Sequence, residues 1–153
     1  MPLTPASAKT SDPSHDFLRA EPRPLDALFQ PARVAVIGAT ERESSVGRTV
    51  LENLLDGRFK GKVFPVNPAH TQVLGRPAFA SIAAIPEKVD LAIVVTPAAT
   101  VPDVIGQCVD AGVRAAVVIS AGFKEHGPKG VELERRILAH LRRGHMRLIG
   151  WRG

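Results

Sequence analysis

Cysteine is almost absent from this sequence, which has Cys108 as its single thiol among 153 residues. One cysteine cannot form an internal disulfide, and such chains are typical of reducing compartments. The sequence also lacks any apolar run approaching the roughly 20 residues that a bilayer-spanning helix needs. Its first residues lack the basic-then-apolar order of a secretory signal. These absences predict a cytoplasmic protein and exclude a membrane from its expected partners.

Aromatic residues are also scarce, because tyrosine is missing and the aromatic types together make 5% of the chain. The formal net charge is nevertheless +5, and arginines gather late in the sequence. Proteins that bind single-stranded nucleic acid interleave aromatic and basic residues so that bases can stack. Without that pattern, the positive charge favours an anionic small molecule over nucleic acid. A nucleic-acid-binding or regulatory domain that uses the late arginines stays open as a third hypothesis.

Residues 1–24 contain five prolines and few large apolar residues. Such a segment cannot bury enough apolar surface to offset the entropy of ordering it. We therefore predict a flexible leader over residues 1–24 and a single domain over residues 25–153. With 44% hydrophobic and 23% charged residues, the whole chain has the composition of an ordinary globular protein.

Short apolar runs without alternation recur along this domain, as is typical of strands buried on both faces of a parallel sheet. The predicted strands cover residues 34–37, 62–66, 91–95, 113–119 and 146–149. Between them lie apolar residues at helical spacing, and Gly57 and Gly112 are placed to end two helices. This alternation predicts an α/β fold, a Rossmann-like three-layer sandwich whose five-stranded parallel sheet has the order 3-2-1-4-5.

The loop after the first predicted strand has two glycines and several hydroxyls, and a helix follows it. Ligands of parallel sheets bind beyond the carboxyl ends of the strands, where strand order reverses. Free N–H groups and the positive dipole end of the helix suit this loop to phosphate. The residues assigned to the site are Gly38, Ala39, Thr40, Ser44, Ser45 and Gly47. A connecting loop without a ligand is the alternative interpretation.

Two further strand ends present small or polar groups at the same side of the predicted sheet. They contribute the candidate residues Val95, Thr96, Pro97, Ile119, Ser120 and Ala121. A proline directly after a buried strand forces an extended exit, so Pro97 leaves room for a flat group against the backbone. Several ligand-ready ends on one side favour a binding cleft there.

The motifs of the commonest nucleotide sites are missing from the sequence. The first loop is neither G-x-G-x-x-G nor a phosphate loop of the G-x-x-x-x-G-K-[ST] type. The second predicted strand runs into Asn67 and Pro68, where a nicotinamide dinucleotide site carries an acidic residue for the ribose. An NAD(P)-binding Rossmann domain of an oxidoreductase or redox sensor is therefore disfavoured, and it remains the alternative.

Several short motifs, taken in order, resemble a known family. They are Gly38-Ala39-Thr40, Asn67-Pro68, Val73-Leu74-Gly75, Val89-Asp90-Leu91 and Ser120-Ala121-Gly122-Phe123. Through these motifs, the chain resembles the CoA-binding domain of NDP-forming acyl-CoA synthetases. That family includes the ADP-forming acetyl-CoA synthetases, the bacterial protein lysine acetyltransferases and, more distantly, the succinyl-CoA synthetase α subunit. The resemblance covers residues 25–150.

This resemblance implies that the chain binds coenzyme A or an acyl-CoA. The loop over residues 40–47 would then hold the CoA phosphates, and the turn at Asn67 and Pro68 would lie against the adenosine end. Residues 95–97 would flank the pantetheine or the adenine, and residues 119–121 would line the thiol-side channel. The resemblance assigns no catalytic residue and no metal ligand to this chain.

The chain departs from the family pattern directly after Asn-Pro. The family commonly has a lysine there, near the CoA 3′ region, whereas this chain has Ala69 followed by His70. The positive charge would then have to come from elsewhere, and Lys60, Lys62 and Arg76 are the candidates for it.

A second departure is the end of the chain at Gly153. Family members continue into a phosphorylated histidine and an ATP-grasp domain, and none of the five histidines here matches the phosphohistidine. We therefore expect the chain to bind CoA without turnover when alone. The remaining synthetase domains or subunits are its expected partners, as parts of an acid–CoA ligase (ADP-forming).

Overall fold

The computed structural model describes residues 25–120, 123 and 127–150. Its strands are β1 (Arg33–Ile37), β2 (Lys62–Val66), β3 (Gln72–Val73), β4 (Arg76–Pro77), β5 (Leu91–Val94), β6 (Ala115–Val118) and β7 (Arg147–Ile149). Its α-helices are α1 (Asp26–Phe29), α2 (Val46–Leu55), α3 (Val101–Asp110) and α4 (Pro128–Leu141). Five strands form one parallel sheet, and β3 and β4 form a separate antiparallel hairpin. The predicted Rossmann-like α/β fold is confirmed, while the predicted leader lies outside the described residues.

The sheet has the order β2-β1-β5-β6-β7. The strand predicted as third, residues 91–95, is β5, and it pairs with β1 rather than lying outside β2. The place outside β2 is taken by Phe79, which forms a parallel bridge with Val66. When Phe79 is counted as the third strand, the predicted 3-2-1-4-5 order is found, with β7 as a sixth strand. A single-residue bridge has no periodic pattern in the sequence. The position outside β2 was therefore assigned to the next apolar run, residues 91–95.

Pro65 lies inside β2, a position that a central strand would not tolerate. The backbone N–H of Lys62 donates to Ala32 O on the β1 side, and the carbonyl of Val66 accepts from Gly38 N on the same side. Because backbone polar groups alternate along a strand, those of Val63 and Pro65 point away from β1. Pro65 is one of the outward residues, and its carbonyl accepts from Phe79 N at 2.9 Å. The missing proline N–H therefore faces away from β1 and removes no bond from the main ladder.

Both faces of the sheet are covered by helices. On one face, Val36 of β1 packs with Leu51 of α2. On the other face, Ala35 and Ile37 belong to a cluster with residues of α3 and α4, including Ile105. Successive residues of β1 are thus buried on opposite sides, which explains why its sequence shows an unbroken apolar run.

The helices α3 and α4 pack closely on their shared face of the sheet. A Cβ at Gly106 of α3 would lie 2.7 Å from the ring of His140 on α4, so a side chain there would displace the imidazole. An ion pair joins Arg136 of α4 to Asp103 of α3 at 2.7 Å, and a second joins Arg143, just after α4, to Asp110 at the end of α3 at 3.1 Å. Two of the late arginines thus support helix packing.

Cys108 is fully buried on the inner face of α3. Burial raises the pKa of its thiol to about 12, because the thiolate would lose its hydration there. The side chain therefore acts as a small apolar core residue.

Candidate functional site

The strand order of the sheet reverses between β1 and β5, so the residues that follow these two strands meet at the switch point. Gly38 follows β1 with a φ of +95°. A Cβ at Gly38 would lie 3.1 Å from the carbonyl carbon and oxygen of Val95, which follows β5. The two predicted site residues are therefore adjacent, and the close approach of their backbones requires the glycine.

The loop after β1 delivers the chain to the N-terminus of α2. Ser45 is the N-cap residue, and its Oγ accepts from Arg48 N at 3.2 Å. Within the part of the chain that the structure describes, the N–H groups of Val46 and Gly47 meet no acceptor. These two donors add to the positive end of the helix dipole, and together they form a place where an anion is stabilised.

The predicted hydroxyls of this loop are mostly used within it. Thr40 Oγ1 accepts from Arg42 N at 3.1 Å, and Ser45 Oγ donates to Arg42 O at 2.7 Å. Ser44 has a φ of +59°, a left-handed conformation that is uncommon for a residue with a side chain. The hydroxyls of Thr40 and Ser45 thus fix the shape of the loop around the helix N-terminus.

Asn67 connects the turn after β2 to the same loop. Its Nδ2 donates to Ala39 O at 2.9 Å, and its Oδ1 accepts from Ala69 N at 2.7 Å. Pro68, next to it, is exposed. The amide of Asn67 therefore holds two strand-end loops together, a role for which an uncharged side chain with both a donor and an acceptor is needed.

The ends of β5 and β6 are also joined by a side chain. Ser120 Oγ donates to Thr96 O at 2.9 Å, while Ile119 beside it is 44% exposed. The hydroxyl of Thr96 is buried and has no hydrogen-bond partner among the residues described. Pro97 is exposed and precedes a 3-10 turn, Ala98–Thr100, that leads into α3. Ala121 lies outside the described residues.

Two of the three basic candidates for a phosphate contact, Lys60 and Lys62, lie at the opposite end of the sheet. Lys62 begins β2, and its Nζ bonds Glu87 at 2.8 Å. Lys60 Nζ donates to Gly57 O at 2.8 Å. Arg76 lines a groove of about 380 Å³ together with Lys62. Lys60 and Lys62 stand at the amino end of β2, away from the strand ends that form the cleft, whereas Arg76 begins β4 directly after the turn that contacts Glu41. A contact from any of the three to a phosphate stays a prediction.

A cation that the sequence did not single out lies next to the loop. Arg48 in the first turn of α2 donates from Nη1 to Glu41 O at 2.7 Å and from Nε to Glu52 at 2.7 Å. The hydrogen bond and the charge of Glu52 raise the pKa of Arg48. The i, i+4 spacing of Arg48 and Glu52 was a usable signal for the pair. No pattern in the sequence indicated the hydrogen bond from Arg48 to Glu41 O.

Asp90, which belongs to one of the family-like motifs, has a structural part at the amino end of the sheet. Its Oδ2 accepts from Ala32 N at 3.0 Å and from Arg33 N at 2.9 Å, and so fixes the start of β1. Across the described ranges there is no group of three or more His, Cys, Asp or Glu residues that would hold a metal ion. Over the same ranges, no helix has the length and apolar character needed to cross a membrane.

Residues 32–152 match the CoA binding domain family. The acetate–CoA ligase (ADP-forming) I of Archaeoglobus fulgidus is 46% identical over 82% of this chain and 18% of its own length. The α subunit of acetate–CoA ligase (ADP-forming) I of Pyrococcus furiosus is 37% identical over 82% of this chain and 28% of its own length. The chain spans 16% to 28% of the length of the curated relatives reported.

Solved structures show the same likeness. The dinucleotide forming acetyl-coenzyme A synthetase 1 of Ca. Korarchaeum cryptofilum, in complex with phosphate and ADP, superimposes with a TM-score of 0.75 at 40% identity. The match covers 82% of this chain and 27% of that one. In both comparisons, the shared part is one domain of a longer relative.

Proposed function

The chain belongs to the CoA binding domain family, and from this membership we propose that it holds coenzyme A, free or acylated, at the carboxyl ends of β1, β5 and β6. The observation that supports this location best is the N-terminus of α2. There the N–H groups of Val46 and Gly47 have no acceptor among the described residues. The site stands at the switch point of the sheet, where ligands of this fold class bind.

The phosphates of CoA are proposed to lie on the loop over residues 40–47. A pyrophosphate carries negative charge and many acceptor oxygens, which match two free N–H groups and a positive helix end. Thr40 and Ser45 hold the loop open around that position through their bonds to Arg42. Arg48 adds positive charge at the same helix end, so that the field favours an anion.

The rest of the ligand is proposed to follow the other strand ends. The adenosine end would lie near the Asn67 and Pro68 turn, with Asn67 keeping that turn against the phosphate loop. The pantetheine or adenine would pass the exposed Pro97 and Ile119. The buried hydroxyl of Thr96, without a partner among the described residues, gives this wall a donor that a bound acceptor would satisfy.

The proposed role of the domain is to present CoA to an ADP-forming acyl-CoA synthetase reaction. In that reaction an acyl-CoA, ADP and phosphate exchange with the free acid, CoA and ATP. The named relatives are ligases of this kind, and the shared domain is a fraction of their length. The groups that carry out the chemistry are proposed to come from other synthetase domains or subunits, since this chain spans 18% and 28% of these two relatives.

The alternative of an NAD(P)-linked oxidoreductase is less well supported. The residue after β2 that would grip the ribose is Asn67, and its amide is already bonded to Ala39 O and Ala69 N. A dinucleotide site of that kind uses a carboxylate at this position. The family match and the named relatives also support CoA.

Calorimetric titration of the full chain with CoA, acetyl-CoA, NADH and a short DNA duplex tests the proposal. We expect CoA to bind, while NADH and DNA do not. At 100 times its Kd, CoA adds about 2.7 kcal/mol to the free energy of unfolding, which raises the Tm by roughly 5–10 °C for a chain of this size. Pantetheine serves as the matched control, because it lacks the phosphates and should bind far more weakly. Binding of NADH without binding of CoA would overturn the proposal.

A further inference from the structure

Glu41 lies inside the loop proposed to hold phosphates, where an unengaged carboxylate would repel the ligand. In the structure its Oε1 accepts from the backbone N–H of Leu74 at 2.7 Å. Leu74 belongs to the turn between β3 and β4, which is 33 residues away in the chain. The acidic side chain is therefore used to connect the loop to the hairpin.

The hairpin turn holds a conformation that needs support. Leu74 and Gly75 have φ values of +50° and +71°, as in the two-residue turns that normally take Asn or Gly first. A bulky side chain in the left-handed region is uncommon. Here the Leu74 side chain packs against the buried cluster of Val36, Ala39 and Leu51. The packing of the side chain accounts for leucine at this position. The bond from its backbone N–H to Glu41 helps to hold the left-handed conformation.

The backbone of Glu41 is bonded on its other side to α2. Arg48 Nη1 donates to Glu41 O at 2.7 Å, and Arg48 lies one residue after Gly47 in the first turn of the helix. One residue thus joins the hairpin to the helix end that carries the free N–H donors. A change at the hairpin is transmitted to those donors through two hydrogen bonds.

We propose that Glu41 is a positioning residue for CoA binding, and that the β3–β4 hairpin fixes the phosphate loop through it. This inference rests on the proposed function. The carboxylate acts as an acceptor for Leu74 N–H, and its negative charge contributes nothing favourable toward phosphate. A neutral acceptor of the same shape should therefore serve as well as the carboxylate does.

The variants Glu41→Ala and Glu41→Gln separate the acceptor from the charge, because both remove the charge and only glutamine keeps an acceptor. We expect Glu41→Ala to weaken CoA binding about tenfold, which corresponds to about 1.4 kcal/mol. Glu41→Gln should bind CoA at least as tightly as the natural protein. The affinity for pantetheine should be the same in all three proteins. Amide hydrogen exchange should show lost protection at Leu74 and at Arg42 and Ser45, whose N–H groups are bonded within the loop, in Glu41→Ala alone.

Equal CoA affinity in Glu41→Ala and Glu41→Gln would overturn the inference, as would unchanged exchange at Leu74 in Glu41→Ala. If the natural protein binds no CoA, the proposed function fails, and so does the role of Glu41 in CoA binding. The exchange data then still show whether Glu41 fixes the loop. The two failures are therefore distinguishable in one set of proteins.

Discussion

Gly47 is the residue that lets α2 pass close to the end of β1. It is buried, and a Cβ built on it would overlap the carbonyl oxygen of Gly38 and would also lie 3.3 Å from the Thr40 methyl carbon. Since the overlapping atom is backbone, it cannot rotate away. The sequence placed Gly47 among the residues of the phosphate site, and the structure gives it a packing role. Contact with the ligand stays a prediction.

Gly47→Val is expected to lower the free energy of unfolding by about 1–3 kcal/mol, as overpacking does elsewhere. Replacing a glycine inside a helix ordinarily raises the free energy of unfolding by less than about 1 kcal/mol. The steric cost at Gly47 is expected to exceed that gain. Urea denaturation measures the difference, and Val46→Ala is the control because Val46 is 52% exposed. A Gly47→Val protein of natural stability that binds CoA poorly would instead assign the glycine to the ligand.

At the scale of one element, α2 offers a way to remove a single donor without disturbing the helix. Val46 is the first helical residue, a position that proline tolerates well. Ser45 before it has φ −92° and ψ 147°, which a following proline also requires. Val46→Pro should keep the Tm of the natural protein and weaken CoA binding tenfold or more, since a hydrogen bond to a charged group is worth about 1.5–3 kcal/mol.

Calorimetric titration of Val46→Pro and Val46→Ala with CoA makes the comparison. Both variants lose the valine side chain, and only the proline variant loses the N–H group. Unchanged affinity in Val46→Pro would move the phosphates away from this helix end and leave the cleft assignment without its main support.

The elements themselves were largely readable from the sequence. The run before Gly38 is apolar without alternation because both faces of β1 are buried, and Gly57 and Gly112 have the positive φ of helix-ending glycines. The β3–β4 hairpin was not predicted, because its turn begins with leucine rather than asparagine or glycine. Phe79 was missed because a single bridge has no repeating pattern.

At the scale of the whole molecule, one carboxylate joins the starts of two neighbouring strands, β1 and β2. Glu87 accepts from Lys62 Nζ at 2.8 Å and from Arg33 Nε at 3.1 Å, at the amino ends of β2 and β1. Both hydrogen bonds lower the pKa of Glu87 below its ordinary value, and the bond from Lys62 has the larger effect. A carboxylate with a lowered folded-state pKa stabilises the fold above its unfolded pKa, and that stabilisation is lost as the pH falls through the folded value.

Glu87→Gln should therefore be slightly less stable than the natural protein at pH 7, and the difference should vanish as the pH drops below about 4. The effect is small because the pair is exposed and screened, and high salt should reduce it further. Urea denaturation at several pH values measures it. Glu134→Gln on α4 is the control, because Glu134 has no ion pair among the described residues. A stability difference independent of pH would contradict the assignment.

The grouping of the candidate site residues at one end of the sheet was predictable from the sequence, and their hydrogen bonds were not. Strand direction places Gly38, Val95 and Ser120 at the carboxyl end of the sheet. The same rule places Lys60 and Lys62 at the amino end, so their distance from the cleft was also predictable. The roles of Glu41 and Asn67 depend on bonds across 33 and 28 residues. Such bonds follow from the packing of loops, which a single sequence does not encode in any local pattern.

The position of Pro65 has a consequence for how this domain meets copies of itself. A sheet grows between molecules when an outer strand offers free N–H and C=O groups to a foreign strand. At the β2 margin, Pro65 has no N–H to offer, and its carbonyl is taken by Phe79. At the opposite margin, β7 has three residues. Because Arg147 N is bonded to Arg114 O on the β6 side, Leu148 is the residue of β7 whose backbone N–H and C=O point away from the sheet. Neither margin is a good template for strand addition, so growth of the sheet from one copy of this domain to the next is disfavoured.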